Sequence, residues 1–332
     1  MTYIEIIRNT YQDRACWNYY SDQGLPERID SSPECIEFIK SFFSKSGKAG
    51  CLYDLVPDLK EIPNERWMHI VYTFFLGIFF YEKNEIIRKC IDKQLDRMSW
   101  RIRPVSNVKF QFVWFLICLF HDLGYVFESK NQYSCKLDDY RYKVGRLSGV
   151  PSFFSKNLYD SYERFIHPND HGICGGVKMF NVLCEVRNNQ ESIQAQNEFL
   201  SWDRTLIPYY RLAASAVICH NIWFVNEDEK SCLRYKAIGL HDLVKRAGEY
   251  KIDQKKYPLF FLLCLVDDIE PIKKVKDIAL LRDLSITLLD DMITITINEK
   301  SPKLKEYLNQ ISVGSWLAPI CSEENMISIK IV

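Results

Sequence analysis

The sequence has no excess of either charge. Its 332 residues include 43 lysines and arginines and 43 aspartates and glutamates, so the formal net charge is zero. Proteins that bind long polyanions usually carry a basic surplus, so we expect no nucleic-acid partner, although a local basic patch would escape this count. Hydrophobic residues make up 47% and charged residues 26% of the chain, which excludes a largely disordered protein.

A signal peptide and a membrane anchor are also missing from the pattern. The first residues, MTYIEIIRNTYQDR, contain neither a basic cluster nor a continuous apolar stretch. The most apolar segments, 70–81, 113–120 and 259–266, are shorter than the roughly 18 residues needed to span a bilayer. We therefore expect buried helices, no membrane contact and a cytoplasmic location.

The twelve cysteines do not form a single C-x-x-C pair. They are scattered, and Cys118, Cys219 and Cys264 lie within apolar runs, where a thiol behaves as a small hydrophobic group. This pattern excludes a disulfide framework and a thiolate zinc site, and it indicates reduced thiols in a cytoplasm. A metal site in this chain must therefore use other ligands.

What the chain does contain, up to about residue 281, is a series of apolar segments with helical periodicity. Their start and stop signals predict helices at 33–44, 63–81, 108–123, 171–186, 210–220 and 258–270. Gly124 follows the third of these helices, in the position where a left-handed glycine commonly ends a helix.

Beyond residue 283 the composition changes to isoleucine-rich segments in which apolar and polar residues partly alternate. The segments 285–289, 292–297 and 326–332 predict strands, with Asp290-Asp291 as a tight turn and a helix at 302–310. The sequence therefore predicts a mainly α fold in three parts. They are an N-terminal helical extension (1–62), a helical body (63–282) and a small C-terminal α+β appendage (283–332).

The positions of the histidines are the most informative feature. Several ionisable residues lie in or at the ends of apolar helices, where an unpaired polar group is costly to bury and a shared cation offsets that cost. The His121-Asp122 dipeptide alone is more typical of a core histidine at a helix end, but the whole set favours a metal centre. The set is His69, His121, Asp122, His171, His220 and Asp267. Imidazole and carboxylate without sulfur suit divalent manganese, iron, cobalt, nickel or zinc.

This order, H…HD…H…H…D, resembles the HD-domain metal-dependent phosphohydrolase superfamily, as do the local sequences HDLGYVFE, DHGICGG, ICHNIW and DDIEPIK. The resemblance covers about residues 63–280 and implies an HD-domain helical bundle with two divalent ions. It implies a first ion bound by His69, His121, Asp122 and Asp267. Asp122 would bridge to a second ion, which His171 and His220 also bind.

The same resemblance implies hydrolysis of a phosphate ester. Two bridged cations lower the pKa of a shared water, so that hydroxide is present near neutral pH, and they stabilise the charge that grows on the phosphate oxygens. Asp122 is the catalytic bridging carboxylate in this scheme. Basic residues would supplement the cations: Arg66 and Lys273 as substrate contacts, and Lys178 as both a substrate contact and a catalytic cation.

Two adjacent aspartates compete for one role. Asp267 and Asp268 lie on a helix that is apolar all round, so its geometry does not choose between them. The family motif places isoleucine and glutamate two and three positions after the ligand, which matches Ile269 and Glu270 when the ligand is Asp267. We therefore assign Asp267, with Asp268 as the alternative.

Other candidates near the fourth histidine need separate assignments. His167 lies four residues before His171 and is a possible substitute ligand, but Pro168 between them breaks a common helix face. It is predicted instead as a substrate-side catalytic acid, with a loop histidine as the alternative. Asp170 suits an N-cap or a hydrogen-bond partner of His171. His241, although followed by an aspartate, falls outside the ordered set and is predicted to lie at the surface.

Glycines after His171 resemble a phosphate loop only superficially. Gly172, Gly175 and Gly176 match neither the P-loop nor the dinucleotide fingerprint, and no strand precedes them. We expect them to allow close packing of helices against the metal centre instead.

Three functions are compatible with this reading. The first is a metal-dependent phosphohydrolase that uses a metal-activated water on a nucleotide or another small phosphorylated, nucleotide-derived molecule. The second keeps the fold but uses two irons for an oxygen-dependent cleavage. The third is a nucleotide-binding sensor or interaction protein with residual hydrolysis. Assembly as a homo-oligomer is compatible with each of them.

Overall fold

The computed structural model describes residues 1–22, 24–45, 52–99, 108–128, 171–191, 206–220, 254–255, 257–289, 292–297, 301–313 and 328–331. Within these residues the fold is mainly α, which confirms the predicted class. The α-helices are α1 (Tyr3–Gln12), α2 (Ser32–Ser41), α3 (Leu52–Leu55), α4 (Asn64–Lys83), α5 (Glu85–Ser99), α6 (Phe110–His121), α7 (Tyr125–Glu128), α8 (His171–Glu191), α9 (Ile207–Cys219), α10 (Pro258–Ile269), α11 (Ile272–Val275) and α12 (Pro302–Val313). Short 3-10 helices occupy Arg14–Cys16, Pro57–Glu61 and Leu280–Asp283.

The starts of several helices follow from local sequence. Thr2 and Glu5 form a capping box at α1, in which each side chain binds the backbone N–H of the other residue. A proline lies in the first turn of α2, α9 and α10, where its missing N–H costs no helical hydrogen bond. These signals explain why the predicted helices are present with ends shifted by only a few residues.

Helices α4 and α6 form the centre of the hydrophobic core. Both are apolar around most of their circumference, and such helices are buried on all sides. Residues from Trp67 to Phe80 of α4 and all of α6 are buried. Helices α1 and α2 pack on α4, and α10 contacts α4, α5, α6 and α9. Stacked rings join these layers, as where Phe42 lies 3.8 Å from Phe115 between centroids.

The C-terminal strands form one three-stranded sheet in the order β1 (Leu284–Leu289), β2 (Met292–Ile297) and β3 (Ser328–Ile331). β1 and β2 are antiparallel, and β2 and β3 are parallel. Leu289 pairs with Met292, so two residues join β1 to β2, although Asp290-Asp291 lie outside the described residues. The strands predicted from the isoleucine pattern are therefore present.

The hydrophobic core runs across both predicted part boundaries. Thr2 pairs with Ser285 in an isolated bridge, and Ile286 donates its backbone N–H to the carbonyl of Met1. In the C-terminal helix α12, the Tyr307 hydroxyl donates to the carbonyl of Ile269 at the end of α10, at 2.6 Å. The N-terminal segment and the C-terminal strands thus contact each other and the helical body.

One stretch of the chain has the mean hydropathy of a membrane-spanning helix, although its uninterrupted apolar run is too short for one. The stretch Phe110–Phe127 is long and apolar enough to cross a membrane by length and composition. However, 89% of this stretch is buried inside the protein, as expected for the core helix of a soluble protein. Its apolar surface is already covered by neighbouring helices.

Candidate metal centre

Three helices bring potential ligands to one point. His69 lies in α4, His121 is the last residue of α6, and Asp267 lies near the end of α10. The Nε2 atom of His69 is 3.1 Å from Nε2 of His121 and 3.0 Å from Oδ1 of Asp267. The His121 Nε2 atom is 3.6 Å from the same carboxylate oxygen. One ligand atom from each residue therefore lies within 4.8 Å of the others, which is close enough to share an ion.

Asp122 adds a second carboxylate to this cluster. It caps the C-terminus of α6 and is almost completely buried. Its Oδ2 atom lies 3.6 Å from Nε2 of His69, and its Oδ1 atom lies 3.5 Å from Nε2 of His121. The four residues predicted for the first ion are therefore adjacent.

The two remaining histidines extend the cluster on the side of His121. His220 caps the C-terminus of α9, and its ring centroid is 5.8 Å from that of His121. His171 begins α8, and its ring centroid is 5.1 Å from that of His220. The six residues predicted as ligands thus lie in one continuous cluster, in which His220 links His171 to His121.

Hydrogen bonds orient three of the rings through Nδ1. This atom lies 2.8 Å from the Cys118 carbonyl oxygen in His121 and 2.6 Å from the Val217 carbonyl oxygen in His220. In His69 it lies 2.6 Å from Oε2 of Glu270. An oxygen acceptor keeps the proton on Nδ1 and leaves the Nε2 lone pair for a metal.

His220 supplies an independent test of the metal interpretation. Its Nε2 atom is buried and has no hydrogen-bond partner among the described residues. A buried polar atom without a partner is rare in proteins and calls for an explanation such as an ion. Because the ring is already held through Nδ1, the free Nε2 fits a metal ligand.

The electrostatics of His69 favour a positive charge at the centre. Burial and the charge of Lys273 both lower the pKa of His69. The hydrogen bonds that the ring makes to the carboxylates of Asp267 and Glu270 outweigh them and raise that pKa to about 9. In His220, by contrast, burial lowers the pKa to about 3, so this ring is neutral near neutral pH.

The two aspartates of the cluster stay ionised despite their burial. Burial raises the pKa of Asp122, but positive charges led by His121 outweigh it and hold the pKa well below its usual range. The pKa of Asp267 is lowered in the same way, against the effect of burial, chiefly by Lys273. In Asp268 burial dominates and raises the pKa to about 6, although Lys274 opposes the rise.

The geometry separates the two adjacent aspartates. Asp267 lies against His69 and His121, whereas Asp268 binds Lys274, with 3.2 Å between Oδ1 and Nζ. The metal-ligand role therefore suits Asp267, in agreement with the assignment from the family motif.

Two of the three predicted basic residues border the centre. The Arg66 guanidinium is 2.7 Å from Oδ2 of Asp122, and Lys273 Nζ is 2.5 Å from Oδ1 of Asp267. Lys178 instead forms an ion pair of 2.7 Å with Asp58, and no contact with the six ligands is described for it. Its catalytic role remains a prediction without a supporting contact.

Tyr125 separates Arg66 from His171. The Arg66 guanidinium lies 3.7 Å from the centre of the tyrosine ring, and the His171 ring stacks on it with 3.7 Å between centroids. Both interactions are favourable for an aromatic ring. Tyr125, which the sequence did not single out, therefore fixes the position of one basic residue and of one histidine.

Glycines allow the close approach of helices around these ligands. A Cβ atom on Gly124 would lie 1.8 Å from the carbonyl oxygen of His171, and one on Gly175 would lie 2.8 Å from that of Phe120. The predicted left-handed conformation at Gly124 is wrong, since among the described glycines positive φ occurs at Gly24. Gly124 is needed for space, because α8 begins directly against it.

Glu270 is the main residue whose role the sequence does not predict. It belongs to the DDIEPIK segment, and a glutamate beside a proline at the end of an apolar helix is the signal that marks it as a candidate for a buried partner. Three further candidates, His167, Asp170 and His241, lie outside the described residues.

Comparisons with known proteins add no relative. No family model, no curated protein and no solved structure matches this chain. The pattern of the six residues and the geometry that they adopt are therefore the basis for a functional proposal.

Proposed function

We propose that this protein is a metal-dependent phosphohydrolase of the HD-domain superfamily. Its substrate would be a nucleotide or a nucleotide-derived small molecule with a phosphoester bond. One observation carries the proposal: the Nε2 atoms of His69 and His121 converge with the Asp267 carboxylate within 4.8 Å. This observation supports a metal centre, and the order of all six residues supports the choice of superfamily.

The proposed centre holds two divalent ions of the manganese, iron, cobalt, nickel or zinc type. His69, His121, Asp122 and Asp267 would bind the first, and Asp122, His171 and His220 the second. The ring centroids of His171 and His220 are 5.1 Å apart, which supports a second ion beside the first, and so does the unpartnered Nε2 atom of His220. Nitrogen and carboxylate oxygen ligands without thiolate suit these metals.

Such ions, when bound, supply an activated water and a Lewis acid for the phosphate. The protein's own contribution is orientation and charge. Oxygen acceptors at Nδ1 of His69, His121 and His220 hold the rings with Nε2 towards the centre. The lowered pKa values of Asp122 and Asp267 keep both carboxylates charged and ready to bind cations.

In this proposal Arg66 and Lys273 bind the phosphate oxygens. Each contacts a carboxylate that would also bind a metal. A guanidinium and an ammonium group each carry several N–H donors, so both side chains can also bind an anion, and arginine can donate two hydrogen bonds in parallel. Their side chains are 25% and 26% exposed, whereas His69 and His121 are fully buried. Basic residues that reach solvent over a buried centre suit a small phosphorylated substrate.

The proposal is tested by metal analysis together with a phosphate-release screen. Protein purified without chelator is examined for bound metal and then supplied with manganese, iron, cobalt, nickel or zinc. The screen covers nucleoside monophosphates and triphosphates, cyclic nucleotides and dinucleotide polyphosphates. We expect about two ions per chain and metal-dependent turnover that His121→Ala abolishes.

The outcomes of this experiment separate the competing functions. Absence of metal binding and of phosphate release under all conditions would overturn the proposal. Oxygen uptake by the iron-loaded protein without phosphate release would identify the oxygenase alternative. Tight nucleotide binding without turnover would identify a sensor.

A further inference from the structure

We propose that Tyr3, in the N-terminal helix α1, is a positioning residue of the metal centre. It would act through Glu270 on His69, although it lies outside the segment that the family resemblance covers. The inference rests on the metal site of the proposed function, but it does not depend on which reaction that site performs.

The carboxylate of Glu270 joins these residues. Its Oε2 atom is 2.6 Å from Nδ1 of His69. Its Oε1 atom accepts the Tyr3 hydroxyl at 2.6 Å and the backbone N–H of Ile272 at 2.9 Å. The side chains of Tyr3, His69 and Glu270 are completely buried.

A buried carboxylate is costly to leave without hydrogen bonds, and these contacts offset that cost for Glu270. Two donors on Oε1 hold the carboxylate plane and turn Oε2 towards His69. Removal of the Tyr3 hydroxyl leaves Oε1 with the Ile272 N–H alone, so the carboxylate is less firmly oriented. A histidine ligand whose Nδ1 partner is poorly placed binds its metal less tightly.

Other interactions hold α1 in place without this hydroxyl. The helix packs on α4, and the Tyr3 ring lies 6.2 Å from the ring of Tyr72 between centroids. Thr2 is paired with Ser285 in the first strand. Replacing Tyr3 by phenylalanine therefore keeps the packing and removes only the contact with Glu270.

The same helix offers a matched control. The Tyr11 hydroxyl is also buried, but it donates to the backbone carbonyl of Pro26. Tyr11→Phe thus deletes an equivalent group from α1 without touching Glu270. A difference in metal binding between Tyr3→Phe and Tyr11→Phe would report the contact with the carboxylate and not the stability of the helix.

The experiment measures the cobalt affinity of the full chain by competition titration, and the visible absorption of the cobalt-loaded protein. We expect Tyr3→Phe to weaken binding of the ion at His69 by roughly 10-fold or more and to change the absorption band. Tyr11→Phe should leave the cobalt affinity and the absorption band unchanged, even if it lowers the melting temperature of the metal-free protein as much as Tyr3→Phe does.

Glu270→Gln makes the test independent of one variant. It should weaken cobalt binding at least as much as Tyr3→Phe, and the double variant should bind no more weakly than Glu270→Gln, because Tyr3 acts through Glu270. The proposal would be overturned if Tyr3→Phe kept the wild-type affinity and absorption, or if the losses from Tyr3→Phe and Glu270→Gln were independent of each other. Failure of Tyr3→Phe to fold would also overturn it. A wild-type protein that binds no cobalt would instead refute the proposed metal site itself.

Discussion

His69 and His121 face each other with their Nε2 atoms 3.1 Å apart, although they come from different helices. The Nδ1 atom of each ring already has an oxygen partner, so both Nε2 atoms carry lone pairs that repel unless a proton or a metal lies between them. Two nitrogens that share one ion at about 2.1 Å lie roughly 3.0–3.4 Å apart. The spacing therefore suits ligands of a common ion.

Removal of metal should lower the stability of the protein. An ion that binds the folded state alone contributes about 2.7 kcal/mol when its concentration is 100 times the dissociation constant. We expect a chelator to reduce the melting temperature by several degrees and added cobalt to restore it. His121→Ala, measured in parallel, should show little of this shift. An identical melting temperature with chelator and with cobalt would contradict the prediction.

Loss of His220 should affect one ion more than the other. His220 lies next to His171, whereas His121 contacts His69 and Asp267. We expect His220→Ala to retain the first ion and lose most of the second, and His121→Ala to disturb the first. Elemental analysis at equal protein concentration checks this. Retention of both ions in both variants would refute the division into two sites.

Asp267→Asn and Asp268→Asn form a matched pair of neighbouring substitutions. Asp267 contacts both His69 and His121, so its replacement should reduce metal-dependent activity by at least about 100-fold, since it removes a charged ligand. Asp268 binds Lys274, and its replacement should leave most of the activity. The assay is phosphate release at saturating metal. The reverse order of effects would move the ligand by one residue.

The sequence predicts the strands and the helices α2, α4, α6, α8, α9, α10 and α12 well, because each has a local signature. It gives no bounds for α1 or α5. Apolar periodicity marks α4 and α6, isoleucine alternation marks β1 and β2, and buried polar residues at helix ends stand out against their surroundings. These signals do not depend on how distant parts of the chain meet.

Long-range relationships were not predictable in the same way. The Tyr3 hydroxyl reaches Glu270 across 267 positions, and no local pattern marks a tyrosine in a capped amphipathic helix as a partner of a metal ligand. The role of Gly124 also depends on a distant residue, since His171 determines the space that is available. For the same reason the predicted boundary at residue 62 separates segments that share one core.

Gly124→Ala should disturb the proposed site of the second ion, to which His171 belongs. The added Cβ would lie 1.8 Å from the carbonyl oxygen of His171, which is backbone and has to move. We expect a loss of about 1–3 kcal/mol in the free energy of unfolding, with metal content falling towards one ion per chain. Denaturant unfolding and elemental analysis measure the two effects.

Gly77→Ala is the control for this prediction. Its Cβ would meet the Trp114 indole at 2.3 Å, so overpacking should destabilise the core between α4 and α6 while both ions remain bound. If Gly124→Ala keeps its full metal content, or if Gly77→Ala loses as much metal, the proposed role of Gly124 is wrong.

The C-terminal sheet should contribute to the stability of the whole protein, because its inner face belongs to the common core. Ile286 is almost completely buried in β1, whereas the adjacent Thr287 points to the exposed face. Ile286→Ala should therefore reduce the free energy of unfolding by about 2–4 kcal/mol, and Thr287→Ala should change it by less than about 0.5 kcal/mol.

Urea unfolding, followed both by far-UV circular dichroism and by tryptophan fluorescence, measures the change. A single transition that shifts for Ile286→Ala with both probes would show that the sheet unfolds together with the helices. Separate transitions, or equal effects of the two substitutions, would show that the sheet is energetically independent of the helical core.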